Sequence, residues 1–140
     1  MKQFIILLLI STCVFNTTQA QTTPITDTVA YLKSIEARKA EFIGKPFSVL
    51  LNELKLPILG FGPIGGRPYD RSAETNTVFD FYTDDKEESE SETKLSIYWK
   101  TPLDANKSAP IWNKTTPRGK WNSEALENYK DAIIRDIYFL

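Results

Sequence analysis

The chain has 140 residues, with 17 Lys and Arg against 18 Asp and Glu, no histidine and Cys13 as its single cysteine. Without histidine, Ser-His-Asp and Cys-His catalysis, histidine general bases and histidine-built zinc sites are excluded, and one cysteine excludes an internal disulfide. The slightly acidic balance lacks the basic excess that nucleic-acid binding requires, so no nucleic-acid partner is expected.

Lys2, the apolar stretch from Phe4 through Ile10 to Phe15, and the ending Thr18-Gln19-Ala20 form a charged n-region, a short h-region and a small-x-small cleavage site. Residues 1–20 are therefore expected to be a secretory signal peptide. The apolar run falls short of the roughly 20 residues a membrane span needs, and no other segment approaches that length. A secreted or periplasmic chain with no transmembrane segment is expected. An alternative is a lipoprotein signal at Leu9-Ile10-Ser11-Thr12-Cys13, with Cys13 acylated. Bulky Thr12 and the apolar residues that continue past Cys13 favour cleavage near Ala20. Cleavage removes Lys2 from the 17 basic residues, leaving 16 against 18 acidic ones and a net charge of −2. Residues 21–140 then form one domain, large enough for a single core.

A first helix is predicted from Thr26 or Asp27, either of which can cap it. Val29, Leu32, Ile35, Phe42 and Ile43 mark its apolar stripe, opposite Lys33, Glu36, Arg38, Lys39 and Glu41. Gly44 suits the helix end and Pro46 prevents continuation. A second helix carries Phe47, Leu50, Leu51 and Leu54 at helical spacing, with Pro46 in its first turn and Pro57 closing it. "LGFGPIGGRPYDR", residues 59–71, reads as a connector from helices to sheet.

Two strands follow by alternation: residues 75–83, with Phe79 and Phe81 on one face, and residues 94–100, with Leu95, Ile97 and Trp99 on one face. The polar run 84–92 between them reads as a hairpin tip. Residues 101–120 read as loop with a short edge strand at Ile111-Trp112. Asn122 or Ser123 caps a brief helix carrying Ala125, Leu126 and Tyr129, and residues 132–140 favour a last strand. The expected fold class is α+β: two N-terminal helices packed on a three- or four-stranded antiparallel sheet, with a short helix before the last strand.

Gly44, Leu50, Leu54 and Pro57 fall at the spacings of a helical hairpin that turns at Gly, carries apolar residues six and ten positions later, and leaves at Pro thirteen positions later. In this the chain resembles the superfamily containing the small lipoproteins of outer-membrane assembly and the β-lactamase inhibitor proteins. Lys55 stands where that pattern prefers Gly. The resemblance covers about 15 residues of motif and about 60 of element order, and it implies a protein-binding module of the envelope without catalysis.

Gly60-x-Gly62-x-x-Gly65 has dinucleotide-loop spacing, but such a loop needs a preceding parallel strand and a following helix that receives the phosphate. Pro63 lacks an N–H, and Pro68 keeps Arg67 out of helical conformation. No cofactor is expected. Arg67, Tyr69 and Arg71 place two guanidinium groups around one ring and form a candidate binding set for carboxylate or phosphate, against a reading in which Tyr69 packs on the core. Asp84, Asp85, Glu87, Glu88, Glu90 and Glu92 offer oxygens but lack calcium-loop spacing, so no metal site is expected.

Trp99, Trp112 and Trp121, with Tyr82 and Tyr98, are the aromatic candidates. Trp99 alternates with Leu95 and Ile97 and belongs to the core. Trp112 and Trp121 flank "NKTTPRGK" and are candidate binding residues if exposed, against packing beneath the loop. Asn106-Lys107-Ser108 and Asn113-Lys114-Thr115 match glycosylation sequons but read as ordinary loop beside a bacterial-type signal. The expected function is a non-catalytic binding module of the bacterial envelope whose partner is an envelope protein or glycan. The alternatives are a small hydrolase pairing Asp80 or Asp136 with another carboxylate, and a structural lipoprotein.

Overall fold

The computed structural model describes residues 24–81 and 93–140. Residues 1–20, expected to be a signal peptide, with Cys13, as well as Tyr82 and the acidic run 84–92, lie outside the described residues.

Helix α1 (Thr28–Ala37) starts where Asp27 Oδ1 accepts the Ala30 amide at 2.9 Å, and it buries Leu32 and Ile35. The chain then tightens into a 3₁₀ turn, Lys39–Glu41, which delivers Phe42 to the core while Val29 and Ile43 stay exposed. Gly44 follows with a left-handed φ of 81°, a conformation that glycine adopts without steric cost. Helix α2 (Phe47–Glu53) starts behind Pro46 and buries Phe47 and Leu50. The Tyr31 hydroxyl joins the two helices, donating to the Glu53 carbonyl at 3.2 Å and accepting the Lys55 amide at 2.9 Å.

Four strands, β1 (Ile58–Arg67), β2 (Asp70–Phe81), β3 (Thr93–Asp104) and β4 (Ile134–Phe139), form one antiparallel sheet in chain order. The glycine stretch is thus a strand, where the sequence suggested a connector. Residues 58–67 pair with β2 from Ile58 opposite Phe81 to Arg67 opposite Asp70, with irregularities near Gly60 and Gly65. A long, well-patterned neighbour supplies the ladder that the glycines themselves do not favour. Gly66 could not be replaced without displacing Thr75, whose Oγ1 lies 2.1 Å from where a Cβ would stand.

Residues 101–120 also differ from the expected loop. Thr101–Asp104 extend β3, and helix α3 (Ala105–Lys114) follows at once, with Asp104 Oδ1 accepting the Asn106 amide at 2.9 Å. Ile111 and Trp112 therefore lie on a helix rather than an edge strand. Helix α4 (Ser123–Tyr129) begins where Asn122 Oδ1 accepts the Ala125 amide at 2.9 Å. Two helices, rather than one, cross between β3 and β4.

The helices bury their apolar residues against one face of the sheet. Phe61, Phe79, Leu95 and Phe139 align in one row across that face, and Pro63, Thr77, Ile97 and Ile137 in the next. Phe79 sits at the centre of an aromatic cluster, with ring centroids 4.8 Å from Phe47, 6.4 Å from Trp99, 5.7 Å from Trp121 and 5.7 Å from Tyr129. Each such pair adds about 0.5–1.5 kcal/mol beyond the burial of area.

The segment after α3 straps the outside of β1: the Phe61 amide donates to the Gly119 carbonyl at 2.8 Å, and the Trp121 amide to the Leu59 carbonyl at 2.9 Å. Pro63 shares the outward register of Phe61, so its missing N–H costs no ladder bond. At β4, the Phe139 amide donates to Glu36 Oε1 at 3.1 Å and the Ile137 amide to Asp136 Oδ1 at 2.9 Å. No helix among the described residues is long and apolar enough to cross a membrane.

Candidate functional site

Alternation puts a second set of residues on the face away from the helices. Pairing aligns Gly62, Val78, Ser96 and Tyr138 in one row, and Ile64, Asn76, Tyr98 and Asp136 in the next. No described helix packs over these rows. Gly62 leaves open space where a side chain would stand. Asn76 Nδ2 donates to Ser96 Oγ at 3.0 Å and levels the middle of the face. Ile64 (43% exposed) and Tyr138 (42%) rise at either side.

The Tyr98 and Tyr138 rings meet edge to face at 5.5 Å. A register irregularity between Tyr98 and Trp99 leaves Arg135 as the extra residue of β4, and its guanidinium lies 5.3 Å from the Tyr98 ring centroid. Lys39 approaches from the 3₁₀ turn, its Nζ 4.5 Å from the Tyr138 ring centroid and 2.7 Å from Asp136 Oδ1, while the Tyr138 hydroxyl donates to Asp136 Oδ2 at 2.7 Å.

Burial pushes the Asp136 carboxyl up, but hydrogen bonds from Lys39, Tyr138 and the Ile137 amide, with the Lys39 charge, outweigh it and leave the group below the ordinary aspartate range. The same contacts raise Lys39, chiefly through its hydrogen bond to Asp136, and raise Tyr138, again chiefly through Asp136. The arrangement is a fixed pair of aromatic rings, each with a cation against it, beside the buried Asn76–Ser96 pair and the open space at Gly62. Exposed Tyr and Arg held this way are typical anchors of protein interfaces.

The residues singled out from sequence fall in two places, the β1–β2 turn and α3 with the strap that follows it. Pro68 and Tyr69 form the two-residue turn between β1 and β2, so Tyr69 stands in solvent (83% exposed) instead of packing on the core, with Arg71 also exposed. Arg67 pairs with Asp70 at the base of that turn. Gly65, Gly66, Pro68 and Arg71 line an open depression there.

Trp112 and Trp121 are half-buried against the core rather than an exposed pair. Trp121 stacks on Tyr129 with centroids 6.3 Å apart and meets Phe61 edge to face at 6.0 Å, while Arg118 lies over Trp112 at 5.7 Å. The strap's backbone bonds to β1 turn these rings inward. Trp99 is core, as its alternation indicated. Sequence reasoning listed Tyr98 among the aromatics but missed Tyr138, Arg135 and Lys39; strict alternation of β4 from Tyr138 was the available signal.

Asp80 and Asp136, each offered for hydrolysis with another carboxylate, do not form such a pair with one another. Asp80 is level with Lys94 and pairs with it at 3.9 Å, whereas Asp136 is level with Tyr98, two strands away. Strand spacing and rise put their backbones roughly 16 Å apart, beyond the about 5–9.5 Å that glycoside hydrolysis uses.

Glu74 is wholly buried on β2, where its Oε1 accepts from the Thr77 and Tyr129 hydroxyls. No described group of three or more Cys, Asp or Glu residues could hold a metal ion. No protein-family model, no curated protein and no solved structure matches this chain.

Proposed function

We propose that the chain is a non-catalytic binding module of the bacterial cell envelope, exported after removal of residues 1–20, which engages a protein partner through the outer face of its sheet. The observation that carries this reading is the Tyr98–Tyr138 pair, fixed by Arg135 and Lys39 on a face that no described helix covers. A glycan would need free aromatic faces to stack against, and here a cation stands at each ring. A protein surface needs rigid aromatic and arginine anchors with open space beside them, and Gly62 leaves such space. The resemblance of Gly44, Leu50, Leu54 and Pro57 to the helical hairpin of small envelope lipoproteins and β-lactamase inhibitor proteins points the same way.

The test is capture of host-envelope proteins by the exported chain and by Tyr98→Ala, Arg135→Ala and Tyr138→Ala variants, with far-UV circular dichroism confirming the fold. Recovery of the partner should fall about tenfold or more for each anchor lost. Unchanged recovery overturns the assignment of the face. Loss in Tyr69→Ala or Arg71→Ala instead moves the site to the β1–β2 turn. The mass of the exported chain tests the envelope assignment, which a retained Met1 would overturn.

A further inference from the structure

The register irregularity of β2 between Glu74 and Asn76 turns Glu74 into the core, where strict alternation would place Thr75. Its Oε1 accepts two hydroxyl protons, from Thr77 and from Tyr129, the latter at 2.9 Å. Thr77 is free to donate because its own oxygen accepts the Trp99 indole N–H at 2.9 Å. Oε2 is buried with no hydrogen-bond partner. The wholly buried Ser108 of α3 lies beside the carboxyl, so β2, β3, α3 and α4 all meet at this one group.

Among the described side chains, no counter-charge accompanies these contacts. Tyr129 is the titratable group that faces Glu74. Lys107 and Lys114 on α3, Glu124 and Glu127 on α4, and Lys100 and Asp104 on β3 are exposed. Asp70 and Arg71 of β2 lie toward the turn, Asp80 and Lys94 lie on the outer face, and the one charged residue of β1, Arg67, follows two residues after Gly65, which pairs with Glu74. An ionised Glu74 would bury a charge that no described cation offsets, and a proton on Oε2 removes that charge while leaving Oε1 to accept both hydroxyls.

We propose that Glu74 is held as a neutral acid in the folded protein and acts as a proton-operated latch: with its proton in place α3 and α4 are seated on the sheet, and losing the proton unseats them. Burial pushes the Glu74 carboxyl up, while the Ser108, Thr77 and Tyr129 hydroxyls and the Trp99 indole pull it part of the way back. Burial, followed by the adjacent Glu74, pushes the Tyr129 phenol up as well, so that group remains a donor. A raised folded value means that the stabilisation is full below about pH 4.3, where a solvated glutamate ionises. It is lost as pH rises toward and through the folded value. Within that window the unfolding constant rises by up to about tenfold per pH unit.

Carboxyl carbon-13 spectra of glutamate-labelled protein test the protonation, and urea midpoints from pH 4.5 to 8.5 for the native chain and Glu74→Gln test the coupling. One glutamate should titrate above the ordinary glutamate range, and the native midpoint should fall with pH relative to Glu74→Gln. Amide exchange, corrected for intrinsic rates, should accelerate with pH in α3 and α4 more than in α1. The proposal is overturned if every glutamate titrates in the ordinary range, if the two midpoint curves run parallel, or if α1 accelerates equally. Should Glu74→Gln fail to fold, the carbon-13 and exchange results on the native chain decide.

Discussion

The amide of Gly119 donates to the carbonyl of Trp112 at 2.9 Å, at a φ of 76° that residues with a Cβ rarely adopt. A Cβ here would stand 2.4 Å from Trp112 Nε1 and from the Phe61 carbonyl. Gly119→Ala should therefore destabilise the domain by about 2–4 kcal/mol in urea unfolding. Gly62→Ala makes the opposite case, since nothing lies within 4 Å of its Cβ position. It should be neutral or stabilise by about 0.4–1 kcal/mol through the unfolded chain.

Thr77→Val keeps the side chain's shape but removes a donor from Glu74 and the acceptor of the Trp99 indole. A loss of about 2–4 kcal/mol is expected, because buried polar groups are left unpaired. In a double-mutant cycle with Trp99→Phe, the combined loss should be smaller than the sum by about 0.5–3 kcal/mol. Additive losses would show that the two side chains act independently.

Asp136 contributes to the acid side of the stability profile. Its folded value lies below the ordinary range, so its contribution is present above about pH 3.9 and is lost as pH falls through the folded value. Between pH 2 and 5 the native urea midpoint should fall more steeply than that of Asp136→Asn. Added salt should reduce the difference, since both partners are partly solvated.

Phe79→Ala removes the ring that touches Phe47, Trp99, Trp121 and Tyr129 at once. A loss of about 3–5 kcal/mol is expected, with the near-UV dichroism of the tryptophans reduced. A loss under about 1 kcal/mol would mean that the cluster closes over the gap.

The elements legible in the sequence are those whose period and caps agree. Asp27 and Asn122 cap their helices, and Phe79, Phe81, Leu95, Ile97 and Trp99 alternate as core-facing strand residues should. β1 was not legible, because Gly60, Gly62, Gly65 and Gly66 carry no strand preference of their own and its pairing comes from β2. α3 was hidden by Pro110 and a polar composition, although Asp104 was in place to cap it. Glu74 could not have been found by alternation, since the irregularity before Asn76 changes which side it faces. On the outer face Tyr98 was visible but its neighbours were not: Arg135 reaches it through another irregularity, and Lys39 comes from a distant turn.

The closed flanks of the sheet bear on how copies of this chain behave when crowded. At β1 the 119–121 strap takes up Leu59 and Phe61, and Pro63 has no donor to offer; at β4, Glu36 and Asp136 hold the outward amides. Among the described strands, neither flank presents the uninterrupted row of free amides and carbonyls on which an incoming strand could template itself. Neighbouring molecules are thereby steered away from zipping into a running β-ribbon, and encounters between them are left to side chains, whose contacts can be reversed.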